Sequence, residues 1–156
     1  MADQTADALI LGWREWVALP ELGLPRIKAK IDTGARTSAL HAFKVDSFVK
    51  GDTEWVRFSI HPRHRRNDVE AICEAQIKDR RVVRDSGGHE ELRIVIETLL
   101  EIGAARWPIE ITLTARDDMR FRMLLGRAAM RGRAIVDPSR SYVASQRLKA
   151  AKPKRK

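Results

Sequence analysis

Strict alternation of charged and apolar residues over Arg26-Ile27-Lys28-Ala29-Lys30-Ile31 limits what this chain can fold into more than any other feature. Side chains leave a strand on opposite faces in turn, so a two-residue period buries one face of a sheet, whereas a helix would scatter the same residues around its axis. Shorter runs with strand character cover residues 13–18, 39–43, 55–60, 69–77, 80–84, 92–97, 109–114 and 120–125. Turn-forming residues separate them at Lys50-Gly51-Asp52, His61-Pro62, Ser86-Gly87-Gly88 and Asp117-Asp118. One short helix is expected, starting after Gly126, running through Ala128, Ala129 and Met130, and stopping at Gly132. Many short strands with a single short helix predict an all-β fold, a small closed barrel in preference to a sandwich. With 156 residues, 44% of them hydrophobic, the chain has the size and the apolar content for one domain with a real core.

Charge divides the chain in two. The formal net charge is +9, yet residues 140–156 hold seven Lys or Arg and no acid, leaving 23 basic against 21 acidic residues elsewhere. Residues 1–143 are therefore taken as the domain and residues 144–156 as a basic, disordered tail. Cys73 is the only cysteine, so no disulfide forms within the chain and a reducing compartment fits. Residues 1–8 lack the basic-then-apolar pattern of a signal peptide, and no apolar run approaches the roughly 20 residues needed to span a bilayer. A cytoplasmic protein with no membrane partner is expected.

The chemistry is concentrated where the alternating strand ends, at Asp32-Thr33-Gly34-Ala35. The strand delivers a carboxylate into a tight turn. Gly34 removes a side chain that would block close backbone approach, and the Thr33 hydroxyl can bond locally to lock the loop. Two such carboxylates brought together cannot both ionise, so they share one proton and supply an acid and a base to one water. Asp and Gly also favour ordinary hairpin turns, so these three residues alone leave a plain turn open.

Two further elements bear on that choice. Met123-Leu124-Leu125-Gly126-Arg127 is an apolar strand running into glycine and then into the short helix. Between the two lies a hairpin, residues 80–84 and 92–96, with the glycine-rich tip Asp85-Ser86-Gly87-Gly88-His89-Glu90. In this order the elements resemble the retropepsin-like aspartic peptidases. The closer likeness is to the cellular subfamily labelled "ATP-dependent zinc proteases", found alongside ATP-grasp amino-acid ligases. It is carried by residues 31–41, 81–93 and 124–127 and by Val136-Asp137-Pro138-Ser139-Arg140-Ser141-Tyr142, within residues 10–143.

The resemblance implies Asp32 as the catalytic acid and Thr33, Gly34 and Ala35 as its loop. It implies Leu125, Gly126 and Arg127 as support packed behind that loop, and Ser86, Gly87, Gly88 and His89 as a flap over the substrate. Val82, Val83, Leu92 and Ile94 are expected to hold the flap arms by burying one face. Because the chain has one Asp-Thr-Gly loop where two are needed, a homodimer follows. The expected partners are a second copy, a peptide or protein substrate and, functionally, an ATP-grasp ligase. That association suggests acidic or glutamate-extended substrates, which Arg36, Arg81, Arg84 and Arg93 would suit. Arg36 stands where viral retropepsins carry acids, which leaves Arg127 without the partner it has there; Arg36 either lines the groove or is a solvated charge.

No cofactor and no metal is expected. The zinc label lacks a two-histidine motif around a glutamate, His61 and His64 sit in a basic run, and His41 stands alone. A second reading remains open, a non-catalytic nucleic-acid- or ribosome-associated module using the basic tail for nonspecific contact.

Overall fold

The computed structural model describes residues 8–63, 66, 68–84, 87–116 and 120–145. The expectations for Ser86, His64, the Asp117-Asp118 turn and the tail from residue 146 lie outside the described residues. The described chain is mostly strand: β1 Leu9–Leu11, β2 Arg14–Leu19, β3 Leu24–Asp32, β4 Ser38–His41, β5 Phe43–Lys50, β6 Thr53–Ile60, β7 Ala71–Gln76, β8 Asp79–Arg84, β9 Glu90–Ile102, β10 Ala105–Thr114, β11 Met123–Gly126 and β12 Ala134–Val136. The expected helix is present as α1, Arg127–Met130, and a turn of 3-10 helix at Pro20–Leu22 joins β2 to β3.

Seven strands form one sheet in the order β10-β4-β11-β3-β2-β9-β8, and β9 also pairs with β10. Six strands are thereby linked in a ring, its weakest link the single β2–β9 pair of Ala18 opposite Glu101. A three-stranded sheet, β5-β6-β7, and a two-stranded parallel ribbon, β1-β12, complete the fold. The alternation in β3 resolves as expected: Ile27, Ala29 and Ile31 are buried, while Arg26, Lys28, Lys30 and Asp32 share the outward face. The core adds Leu40 from β4, Phe58 from β6, Ile96 and Leu100 from β9, Ile111 from β10, and Met123 and Leu125 from β11. Each such side chain contributes roughly 1.5–3 kcal/mol by leaving water.

One acid belongs to that core. Glu15 is fully buried and shares the inward face of β2 with Val17 and Leu19. Its carboxylate accepts the backbone N–H groups of Gly12 (2.7 Å), Val143 (2.8 Å), Ala144 (3.2 Å) and Ser145 (2.9 Å), and the Ser145 hydroxyl (2.7 Å). A buried carboxylate is tolerable only when saturated in this way. Glu15 thus fastens residues 143–145 to the start of β2. Gly12 permits the approach, since a Cβ there would lie 2.4 Å from the Arg140 carbonyl oxygen.

Candidate active site

β3 ends at Asp32, and the chain turns back into β4 at Ser38. Between these two arms runs β11, parallel to β3 with Gly126 opposite Asp32, and antiparallel to β4 with Met123 opposite Leu40. Burial of Met123 and Leu125 holds β11 in this slot. Its last residue must be glycine: a Cβ on Gly126 would sit 2.6 Å from the Thr37 carbonyl carbon and 2.9 Å from the Arg36 oxygen. The Gly126 N–H donates to Ser38 Oγ at 3.0 Å, a buried bond between residues 88 apart in sequence.

The helix start continues the grip. The first N–H groups of a helix lack partners within it. Here Arg127 N–H donates to the Ala35 carbonyl at 2.8 Å and Ala128 N–H to that of Arg36 at 3.0 Å. The Arg127 guanidinium donates to the carbonyls of Gly34 at 3.2 Å and Thr33 at 3.4 Å. Arg127 therefore has a replacement for the missing acid, and it is the loop's own backbone. That partner is invisible in sequence because a carbonyl belongs to every residue.

Inside the loop, Gly34 N–H donates to Asp32 Oδ1 at 3.0 Å. Asp32 is half-buried, Ala35 is half-buried, and Thr33, Gly34 and Arg36 are exposed. The expected local lock by the Thr33 hydroxyl is not seen. No described residue accepts from it, and Gly34 and Arg127 do the fixing instead. The loop presents a restrained carboxylate beside an unoccupied hydroxyl.

The hairpin is formed by β8 and β9, with Arg84 opposite Glu90 closing the arms. Gly88 has φ 87°, a backbone that L side chains rarely adopt, with open space where a Cβ would stand. The arms differ from expectation. Val82 and Leu92 lie opposite each other and point outward, 62% and 67% exposed, because the buried parity belongs to Arg93 and Val95. Of the four apolar residues expected to anchor the arms, Val83 and Ile94 are half-buried.

Polar contacts hold this face. Arg93, 7% exposed, donates to Glu91 Oε1 at 2.8 Å and to Thr112 Oγ1 at 3.2 Å. Thr114 Oγ1 also donates to Glu91, at 2.9 Å, and Thr112 Oγ1 donates to the Ser38 carbonyl at 2.9 Å. Burial pushes the Glu91 carboxyl up, but the bonds from Thr114 and Arg93 outweigh it, and the net direction is down. The chain Glu91–Arg93–Thr112–Ser38–Gly126 thus joins the hairpin arm to the carboxylate loop. The sequence signal for Arg93 was its parity, since it alternates with Glu91 and Val95 on the inward face.

Three of the four arginines expected to receive acidic substrate are already engaged. Arg81 forms a two-pronged pair with Glu110 at 2.8 and 3.3 Å and a third bond to Asp79, Arg84 pairs with Glu90, and Arg93 with Glu91. Arg36 alone is exposed with no ion pair to a described residue. Among the described residues no cluster of three or more His, Cys, Asp or Glu is placed to hold a metal. Burial raises the Cys73 thiol to about 11, so it stays neutral and inert. Among the described residues no helix is long and apolar enough to cross a membrane.

With this geometry in view, the comparisons with known proteins are informative. The family model described as "Retropepsin-like aspartic endopeptidase RimB" matches residues 10–147. Among curated relatives, a "Probable alpha-L-glutamate ligase" of Parasynechococcus marenigrum is 47% identical over 134 residues, covering 86% of this chain and 29% of that protein. One of the same name from Shewanella pealeana is 43% identical over 136 residues, covering 87% and 30%. The chain thus spans less than a third of the length of these relatives. Among solved structures, a protein of unknown function from Legionella pneumophila superimposes with a TM-score of 0.71 at 23% identity, covering 87% of this chain and 98% of that one. That likeness is one of fold.

Proposed function

The chain belongs to the RimB-like family of retropepsin-like aspartic endopeptidases, and on that premise we propose that it hydrolyses peptide bonds as a two-fold homodimer with one Asp32 from each copy. The observation that carries this reading is the Asp32 loop: a half-buried carboxylate at a strand end, fixed by Gly34, by the glycine-ended β11 and by Arg127. Paired across a two-fold axis, the two carboxylates share one proton. The ionised Asp32 takes a proton from the water that attacks the peptide carbonyl carbon. The protonated Asp32 of the partner subunit gives its proton to the carbonyl oxygen. Collapse of the tetrahedral intermediate breaks the C–N bond, and the amine leaves with a proton returned from the pair. The exposed Thr33 hydroxyl, with no acceptor among the described residues, suits a bond between the two loops.

In this reading the ring of six strands is a small closed barrel, and the peptidase domain extends past the expected boundary at residue 143 to Ser145, because Glu15 holds residues 143–145 in place. The β8–β9 tip covers the substrate, with Gly87, Gly88 and His89 in the part that bends. The curated relatives are named as glutamate ligases, and a substrate extended with glutamates fits the same setting. The decisive experiment is Asp32→Asn with cleavage assayed on an acidic peptide. Activity falls at least about a thousandfold, as for removal of a group that acts in the transition state, while folding and association are unchanged. Retained cleavage would overturn the reading. So would a dimer structure with the Asp32 carboxylates more than about 10 Å apart, beyond the roughly 3 Å of a hydrogen bond.

A further inference from the structure

Many of the cations on the other strands are neutralised by carboxylates of the same chain. Arg57, Arg80, Arg81, Arg84, Arg93, Arg106, Lys44 and Lys78 each pair with a carboxylate at 3.4 Å or less. Four cations on one surface do not. Arg26, Lys28 and Lys30 lie on the outward face of β3, and Arg14 stands opposite Lys30 on β2. None of them forms an ion pair with a described residue. The row they make continues at the same parity into Asp32.

This face is organised by aromatic rings. Trp16 lies opposite Lys28 and stacks with Tyr142, centroids 6.1 Å apart and planes 15° from parallel. The Arg26 guanidinium sits 4.0 Å over the Trp16 ring. Arg14 lies 4.6 Å from the Trp13 ring and 5.0 Å from that of Tyr142, and Lys28 reaches both Trp16 and Tyr142. Tyr142 takes the left-handed φ of 55°, where a side chain is strained, and its N–H is fixed on the Arg14 carbonyl at 2.9 Å. Arg14 Nε also donates to Ser141 Oγ at 3.2 Å; a guanidinium held over a ring is restrained in position while its remaining N–H groups can bind a carboxylate with little loss of freedom. The rings, in turn, are covered by the chain's own cations, so they do not offer the open faces on which nucleobases stack.

We propose that the outward face of β2 and β3 is a carboxylate-reading track for the substrate chain, with Arg14 and Lys30 as specificity-determining residues beside Asp32 and with Lys28 and Arg26 further out. This inference rests on Asp32 being the catalytic acid. Cations two residues apart on β3 repeat at about 6.6–6.8 Å, the spacing of every second side chain in an extended peptide. Alternate acidic side chains of a bound strand therefore meet Lys30, Lys28 and Arg26 in turn. The distance from Arg26 to Asp32 is about 20 Å, room for about six extended residues. A two-fold dimer presents one such track on each side of the scissile bond. The arginines that sequence reasoning assigned to this task sit on the hairpin and are spent on internal pairs.

The test separates binding from hydrolysis by using Asp32→Asn protein, full length, with a fluorescein-labelled oligoglutamate peptide read by anisotropy. Arg14→Gln with Lys30→Gln weakens binding at least about tenfold, Lys28→Gln with Arg26→Gln weakens it several-fold, and Lys50→Gln, a cation on the β5-β6-β7 sheet, leaves it unchanged. All four positions are partly or fully exposed, and thermal melts confirm that each variant is folded. A variant that does not fold is replaced by Lys30→Gln alone, expected to weaken binding about threefold. Unchanged binding in the folded variants, equal binding of an oligoglutamine peptide, or tighter binding of a single-stranded oligonucleotide at physiological salt overturns the inference. If the wild-type protein cleaves no acidic peptide while the track still binds one, the hydrolytic reading falls and the track stands. If cleavage is normal and the track variants bind as wild type, the track alone falls.

Discussion

The carboxylate loop and the tip of the β8–β9 hairpin are both turns punctuated by glycine, and they are held in opposite ways. Around the loop there is no slack. Gly126 has backbone within 3 Å of its missing side chain, and the loop carbonyls of residues 33–36 all accept bonds from Arg127 or Ala128. At the tip the Gly88 position is open: a Cβ there would meet no described residue within 4 Å, and the arms below are closed by the exposed Arg84–Glu90 pair. In the first case glycine is required because neighbours are too close, in the second because the backbone bends the wrong way for other residues. A peptidase needs both properties. Its reacting carboxylates must not wander, and the cover over its substrate must open.

Substitution at the two glycines tests this contrast most directly. Gly126→Ala drives a methyl group into the Thr37 backbone and should cost about 3 kcal/mol, the upper range for overpacking, measured by urea unfolding. A loss below about 1 kcal/mol would mean the loop yields more readily than the contacts imply. Gly87→Val with Gly88→Val should cost about 1 kcal/mol of local strain while slowing cleavage several-fold. Amide exchange at residues 87–89 should be fast in the free protein and slow with a tight inhibitor bound. Slow exchange in both states would make the tip a structural hairpin.

The smallest expected effect concerns pH. Glu110 is held below the ordinary glutamate value of 4.5, first by its bonds to Arg81 and then by Lys78. A lowered folded-state value gives stability that is fully present above 4.5 and is lost as pH falls through the lowered value. Glu91 shifts in the same direction. The hairpin arms should therefore loosen on acidification before β11, whose contacts at the loop run from Gly126, Arg127 and Ala128 to the Ser38 hydroxyl and the loop carbonyls. Exchange rates of β8 and β11 amides, corrected for intrinsic pH dependence, check this. Equal loosening of both would erase the distinction, and Glu110→Gln should flatten the pH response of β8 alone.

How much of this was legible in the sequence follows from the same contrast. The Asp32 loop, the β11–α1 element and the hairpin announced themselves through parity and glycine placement. β5 did not, because Lys44 has φ 52° and the β5–β6 register shifts between Phe43 and Asp46, which breaks the alternation that marks a strand. β1 and β12 are three residues each, too short to show a period. The far half of β9, residues 98–102, was lost because its residue types do not follow its burial: Thr98 lies on the buried parity and Leu99 on the half-buried one. Glu15 and Arg93 were readable in principle, as charged residues on the parity of their strands' buried positions. The partner of Arg127 was not, since nothing in a sequence marks a carbonyl as an acceptor.

The placement of β11 between the two arms of the Asp32 loop also sets an order in time. The loop leaves a ribosome before the strand that fixes it, whose Gly126 lies 88 residues beyond Ser38, and before residues 143–145, which close the clasp on Glu15. Contacts so distant in sequence form slowly and late. During synthesis the Asp32 loop is therefore present before the contacts that fix it. The topology itself thus delays the assembly of the candidate site until β11 and residues 143–145 have been made.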